Sequence, residues 1–434
     1  MRTNQANGDS RSGAQFVAAS DQRSDWSRAV PAVANRQPSS LKERAAGFAM
    51  GRLLALALLV ATAVRGGSGP LATPEGYAVP QPGHIFSFPA DHGAHPDFRI
   101  EWWYVTGHLR SEDARRFGFQ ATFFRLAGPR GGAPDPSPDF SLGTLYLAHM
   151  ALTDVAGQRF LFEERLNREG WDAQAAVGAL KVRNGTWSLQ MAAGPTAVPA
   201  ARRGAGQEAG PGAGLELVGG VRADAAFELE LTPAKPLVVF GENGVSRKGA
   251  EATAASYYLT FSRLRAAGHL TFGGTALAVT GEAWMDHEIS SSQLGGGQVG
   301  WDWVSVQLHD RPWELMLYRL RRADGSADPA SRLQWVSPGG RAITADFTWE
   351  VLSRWRSPRT GATYPARVRL TTRDPATGAT VRFTLEPLLA DQELGGALGG
   401  GPYWEGACRV LDESGREVGS AYLELTGYAG ALKL

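Results

Sequence analysis

From about residue 75 onward, hydrophobic and polar residues alternate along this chain in short runs, and the three-to-four spacing of an amphipathic helix is nearly absent. Val, Phe, Tyr, Trp, Leu and Thr fill the alternating positions, and Gly, Pro, Asp or Asn mark the turns between runs. The pattern predicts strands over 101–109, 117–126, 143–153, 215–221, 226–231, 256–264, 301–308 and 313–320. An all-β, mostly antiparallel protein follows.

Three stretches break the pattern. Residues 191–214 are Ala/Gly/Pro/Arg-rich and are expected to form a long loop, 233–250 carry few strand signals and are expected to link two domains, and the glycines of 395–401 form a flexible loop. A weak repeat supports two domains. Trp103-Tyr104-Val105-Thr106-Gly107-His108-Leu109 runs through a turn to Phe123-Phe124-Arg125-Leu126, and Trp303-Val304-Ser305-Val306-Gln307-Leu308 runs to Leu317-Tyr318-Arg319-Leu320. Each is a hairpin that opens on Trp and closes on aromatic-Arg-Leu. Domains over 75–245 and 250–434 are expected, each a barrel or a sandwich, since those forms leave few open strand edges. Closed eight-strand barrels can hold one small ligand, and twelve tryptophans beyond residue 100 would line a pocket or fill a solid core.

Ahead of the β region, residues 1–49 are polar, and the apolar run 53–64 is too short to span a bilayer but suits a signal peptide with an Ala61-Thr62-Ala63 cleavage site. Residues 1–69 are therefore expected to be a disordered extension plus signal peptide, with Met50 a natural alternative start, and the mature protein periplasmic or secreted. The membrane is met only through that signal segment. A formal net charge of +1 gives no reason to expect nucleic acid. Cys408 is the only cysteine, so an intramolecular disulfide and a multi-cysteine metal site are excluded, and its apolar strand favours a packed thiol over a nucleophile.

Four constellations could carry chemistry. Asp91-His92-Gly93-Ala94-His95-Pro96 has metal-ligand residue types, but Pro96 makes it a turn that bonds to itself. In Glu101-Trp102-Trp103-Tyr104 an inward Glu beside Trp103 is either an acid with a raised pKa or the partner of an Arg such as Arg125. In Trp284-Met285-Asp286-His287-Glu288, strand alternation places Trp284, Asp286 and Glu288 on one face and Met285 and His287 on the other. A buried acid on an aromatic face is costly unless it is used or satisfied, so Asp286 is the leading proton donor. Tyr403-Trp404-Glu405-Gly406, with Tyr422 to Tyr428, is expected to close the second unit structurally. A Gly-x-Ser-x-Gly elbow, a phosphate loop and a His-Glu-x-x-His motif are missing, which leaves a serine hydrolase or zinc protease without support.

Taken in order, Phe88-Pro89-Ala90-Asp91-His92, Glu101-Trp102-Trp103-Tyr104, Trp284-Met285-Asp286-His287-Glu288, Gly300-Trp301-Asp302-Trp303 and Tyr403-Trp404-Glu405-Gly406 resemble the AttH-like family, relatives of the carotenoid 1,2-hydratases (hydroxyneurosporene synthases). Its bacterial members are often labelled predicted secreted hydrolases or lipocalin-like domain proteins. The resemblance implies two lipocalin-like barrels packed together and, for the hydratase branch, acid-catalysed addition of water to an alkene, with Asp286 as the acid and Trp284 the aromatic two residues before it. One departure is that Ser256-Tyr257-Tyr258-Leu259 has no histidine where the hydratases place one.

The expected catalytic residues are Asp286, Trp284, His287 and Glu288, and the expected ligand-binding residues Trp103, Tyr104, Tyr257, Trp301, Trp303 and Tyr318. The expected ligand is an isoprenoid or other lipid-like molecule, with no cofactor and no metal. The competing expectation is a non-catalytic carrier that serves an envelope ABC transporter, and a weaker one is an ester hydrolase using Asp286 and His287.

Overall fold

The extended run 255–292 turns back on itself at Gly273-Gly274, where φ of +57° and +79° makes the two-residue turn of a hairpin. The flanking strands, Ala255–Phe272 and Thr275–Ser292, are each 18 residues long and form the centre of the molecule. The computed structural model describes residues 71–130, 143–192, 214–222 and 225–432. The expected extension and signal peptide (1–69) and most of the expected 191–214 loop lie outside those residues.

The described residues form two antiparallel sheets, one of 13 strands and one of 10. In the first, Ile100–Ser111 pairs with Arg116–Leu126 on one side and with Thr275–Ser292 on the other. Beyond the long hairpin the order continues through Ala225–Pro233 and Leu215–Val221. The end strand Arg159–Arg168 curls round to pack against Leu215–Val221, so the sheet is a near-closed barrel. In the second sheet the ends of the strand order, Ala342–Ala345 and Phe347–Arg356, are separated by Asp346 alone and do not pair, which leaves a half-barrel.

All eight expected strands are present, and both repeat segments are hairpins. Two expectations need correction. The change of sheet falls at residues 293–297, between Ser292 and Gln298, and not at the expected join near 245–250. The expected linker 233–250 itself contributes the short strands Val238–Phe240 and Ser246–Arg247, which pair with Ala255–Phe272 in the first sheet. Each sheet has more than eight strands, and both strands of the long hairpin belong to the first.

Each sheet has its own core. Trp103, Phe119, Met150, Leu217 and Met285 lie inside the first, and Leu317, Trp335, Tyr364 and Leu423 inside the second. A third apolar cluster sits between the sheets, built from Tyr104, Tyr258, Trp284, Trp303, Tyr318 and Tyr422. Close approach of backbones explains two motif glycines. A Cβ on Gly281 would lie 1.9 Å from the His108 carbonyl oxygen, and one on Gly300 2.5 Å from that of Thr426.

Cys408 is buried in the second core, and burial holds its thiol well above the usual range. The thiol should therefore react with an aromatic disulfide reagent only after denaturation. Stoichiometric labelling of the native protein within minutes would place it at the surface instead.

Candidate functional site between the sheets

Strand register sets two rows of side chains against each other. On the first sheet Thr122, Tyr104, Asp286 and Thr260 are successive cross-strand partners. On the second, Tyr318, Trp303, Glu424 and Glu405 are likewise successive partners across four strands. With Trp102, Phe124, Tyr258, Trp301 and Lys248, all of these but Thr260 line a cleft of about 70 Å³ that is partly open to solvent. The Tyr104 and Trp303 rings meet edge-on at 5.1 Å, and the Trp303 indole donates to the Tyr258 hydroxyl at 2.9 Å.

Asp286 is the centre of the first row. Its Oδ1 accepts from the Trp284 indole at 2.8 Å and from Thr260 at 2.5 Å, and its Oδ2 accepts from the Tyr258 hydroxyl at 2.7 Å. Burial pushes the carboxyl up to about 7, and the charge of Glu288 adds to that, while the three hydrogen bonds pull the other way. Glu288, two residues on along the same face, accepts from Ser256 at 2.5 Å and is paired with Lys248 at 3.1 Å. The Lys248 ammonium also lies 4.1 Å from the Tyr318 ring centroid and 4.6 Å from that of Tyr258.

Two further carboxyls face the same space. Glu424 accepts from the Trp301 indole at 3.0 Å and is pushed up to about 7, first by burial and then by the charges of Glu288 and Asp286. Glu405, fully buried, is held well above the usual carboxylate range by burial and by Glu424 directly opposite. Four acids with one lysine in a low-dielectric space cannot all ionise, so part of the set is protonated near neutral pH.

Alternation sends the other expected residues elsewhere. His287 and Trp103 point into the first barrel, where their rings stack at 4.8 Å, and they do not line the cleft. Tyr257 likewise leaves the cleft, packing on Phe86, His84 and Phe98 and bonding to the Gln81 backbone. Asp286 and His287 thus lie on opposite faces of one strand, which removes the hydrolase pair. Trp284, Asp286, Glu288, Tyr104, Trp301, Trp303 and Tyr318 are gathered at or beside the cleft.

Glu101 heads a separate cluster on the barrel side. It accepts from Arg125 at 2.9 Å and bonds to His287 and His95, each at 2.8 Å, and His95 reaches Asp91 at 3.1 Å. Burial opposes the Glu101 carboxylate, but His287, His95 and Arg125 outweigh it and hold its pKa well below the usual value, the reverse of the raised-pKa reading. Ligand atoms of His95, Glu101 and His287 lie within 4.8 Å of one another, close enough for a metal ion. Arg125 already neutralises Glu101, however, and both imidazoles are bonded to it. His92 stands apart, its ring packed on Phe88 and Phe261, with burial lowering its pKa to about 3.

The sequence reading missed Tyr258, Thr260, Lys248, Glu424 and a cleft role for Glu405. Strand phase could have given Tyr258 and Thr260 as same-face neighbours two apart. Nothing local marks Lys248, which comes from the supposed linker.

A family model described as AttH-like matches residues 79–428. The crystal structure of an AttH protein from Nitrosomonas europaea is 33% identical, covering 81% of this chain and 99% of that one, with a TM-score of 0.67. The crystal structure of kievitone hydratase from Nectria haematococca is 13% identical over 83% of this chain and 99% of that one, with a TM-score of 0.57, a likeness of fold. No curated protein sequence matches the chain.

Proposed function

The chain belongs to the AttH-like family, and from that premise we propose that the cleft between its sheets binds a largely apolar, unsaturated ligand of isoprenoid or lipid-like type and adds water to one of its double bonds. The observation that carries this reading is Asp286, a buried carboxyl pushed up to about 7 that faces an aromatic cleft. Its proton passes to one alkene carbon, the neighbouring carbon becomes a cation, water adds there, and the extra proton on oxygen returns to Asp286. Trp303 and Tyr104 supply ring faces that favour the cation. The fold in common with a protein named as a hydratase supports the same chemistry. Incubating the protein with trisubstituted isoprenoid alkenes in ¹⁸O-labelled water tests it. The expected product is heavier by one labelled water, and bound ligand that never incorporates the label would overturn it.

A second reading is a non-catalytic carrier, favoured by the three hydrogen bonds that satisfy Asp286. Under either reading we place the protein outside the cytoplasm, exported by the segment 53–64, and the carrier reading adds delivery to an envelope ABC transporter. Trp301 is half-buried on the cleft wall, so Trp301→Ala should weaken ligand binding about tenfold or more without unfolding the protein. Fluorescence titration checks this, and unchanged affinity would remove Trp301 from the ligand's path.

A further inference from the structure

Native interiors rarely leave a buried polar atom without a partner, because each costs about 1–3 kcal/mol. Among the described residues, both carboxyl oxygens of Glu405 and the hydroxyl of Tyr104 are buried without a hydrogen-bond partner, and both residues line the cleft. The Gln293 amide nitrogen shares that condition but also borders a second cavity, so it does not mark the cleft itself. Glu405 and Tyr104 come from opposite sheets, yet the Glu405 carboxyl is near enough to act on the hydroxyls of Tyr104 and Tyr403 through charge and hydrogen bonding, short of a well-formed bond to either. Around them the walls are aromatic. Two polar groups thus converge beside the other acids of the cleft, with hydrogen-bonding capacity beyond what they can share with each other.

The kind of group that fits follows from the neighbouring charges. Glu424 sits directly across the strand pair from Glu405, and like charges so placed repel. Burial and that repulsion raise the Glu405 pKa well above the usual carboxylate range and so favour its protonated form. A protonated carboxyl offers one donor and an acceptor, and a tyrosine hydroxyl offers the same. A ligand hydroxyl can satisfy both at once. An anionic ligand would meet Asp286, Glu288 and Glu424, and an ammonium would require Glu405 to ionise.

We infer that Glu405 and Tyr104 form a polar subsite of the cleft that takes a hydroxyl group carried by an otherwise apolar, unsaturated ligand. The inference rests on the cleft being the ligand site. The subsite fixes which end of the ligand enters first and so which double bond reaches Asp286.

The test uses three probes of one C20 isoprenoid skeleton: geranylgeraniol, the hydrocarbon without its hydroxyl, and the primary amine, each titrated by tryptophan fluorescence. The alcohol should bind the wild-type protein about tenfold more tightly than the hydrocarbon. Glu405→Leu should bring that ratio to about one, and Tyr104→Phe should lower it about threefold. Glu405→Gln, which keeps the shape, should melt no lower than the wild-type protein, because no well-formed internal hydrogen bond is lost and the amide can still act on Tyr104 and Tyr403. Equal affinity for alcohol and hydrocarbon would overturn the subsite while leaving the cleft as the ligand site. So would a ratio unchanged in Glu405→Leu and Tyr104→Phe, or a lower melting temperature in Glu405→Gln with the ratio unchanged. An amine bound more tightly than the alcohol would show an ionised Glu405 and also overturn the subsite. Binding of none of the three would remove the ligand class proposed for the cleft, and the subsite with it.

Discussion

Asp286→Asn lowers turnover by a factor of about 10²–10⁴, the usual contribution of a positioned general acid, while ligand affinity stays within a few-fold. The amide keeps the shape of the carboxyl. Its oxygen still accepts from Trp284 and Thr260, and its NH₂ meets Tyr258, whose oxygen can accept. Product formation in labelled water and binding titration on the same preparation check the two halves separately. If affinity falls as far as turnover, Asp286 organises the cleft and does not deliver a proton. The wild-type rate should also be level below about pH 7 and fall above it, because the acid must be protonated to act. Stability follows the same proton. The folded pKa lies above the unfolded value of 3.8, so this contribution is fully present below 3.8 and is lost as pH rises through about 7. Asp286→Asn has no such proton to lose, and its melting temperature relative to wild type should rise between pH 4 and pH 8.

Glu101→Ala has the largest expected effect on stability, a loss of about 3–5 kcal/mol, because it leaves a buried guanidinium without its carboxylate. Arg125 would keep only the backbone carbonyls of His95 and Phe98, and His287 would lose its bonded partner inside the barrel. Chemical denaturation measures the loss. Glu101 has a folded pKa below its unfolded value of 4.5, so its stabilisation is present above 4.5 and lost as pH falls below it. The difference between wild type and Glu101→Ala should therefore shrink in acid. A change below about 1 kcal/mol at pH 7 would mean the barrel interior can rearrange around the missing acid.

Period-two patterning made the strands legible, because a half-buried strand needs only one apolar face. It also gave the face of Asp286 correctly, since Trp284, Asp286 and Glu288 are two apart. The same rule argued against grouping His287 with Asp286, and the structure follows the rule. The join between the sheets is misplaced because 233–250 has weak strand signals, whereas the turn at Gly273-Gly274 makes 255–292 one hairpin, paired on both sides within the first sheet. Lys248, Glu424 and Glu405 were not legible as one site, since only non-local pairing brings the two sheets' rows face to face. Glu405 in particular looks from its own strand like a residue of the closing wall.

The pairing of Ile100–Ser111 with Thr275–Ser292 also has a cost in time. The Glu101–His287 bond closes 186 residues of chain, so the strand carrying Trp102, Trp103 and Tyr104 waits for its partner while the ribosome makes the intervening segment, on the order of 10–40 s at usual elongation rates. Through that interval an aromatic strand has one open edge, the condition under which nascent chains pair with one another. The newly made protein is then a natural client for a holding chaperone, and its yield on refolding should fall with concentration more steeply than its final stability would suggest.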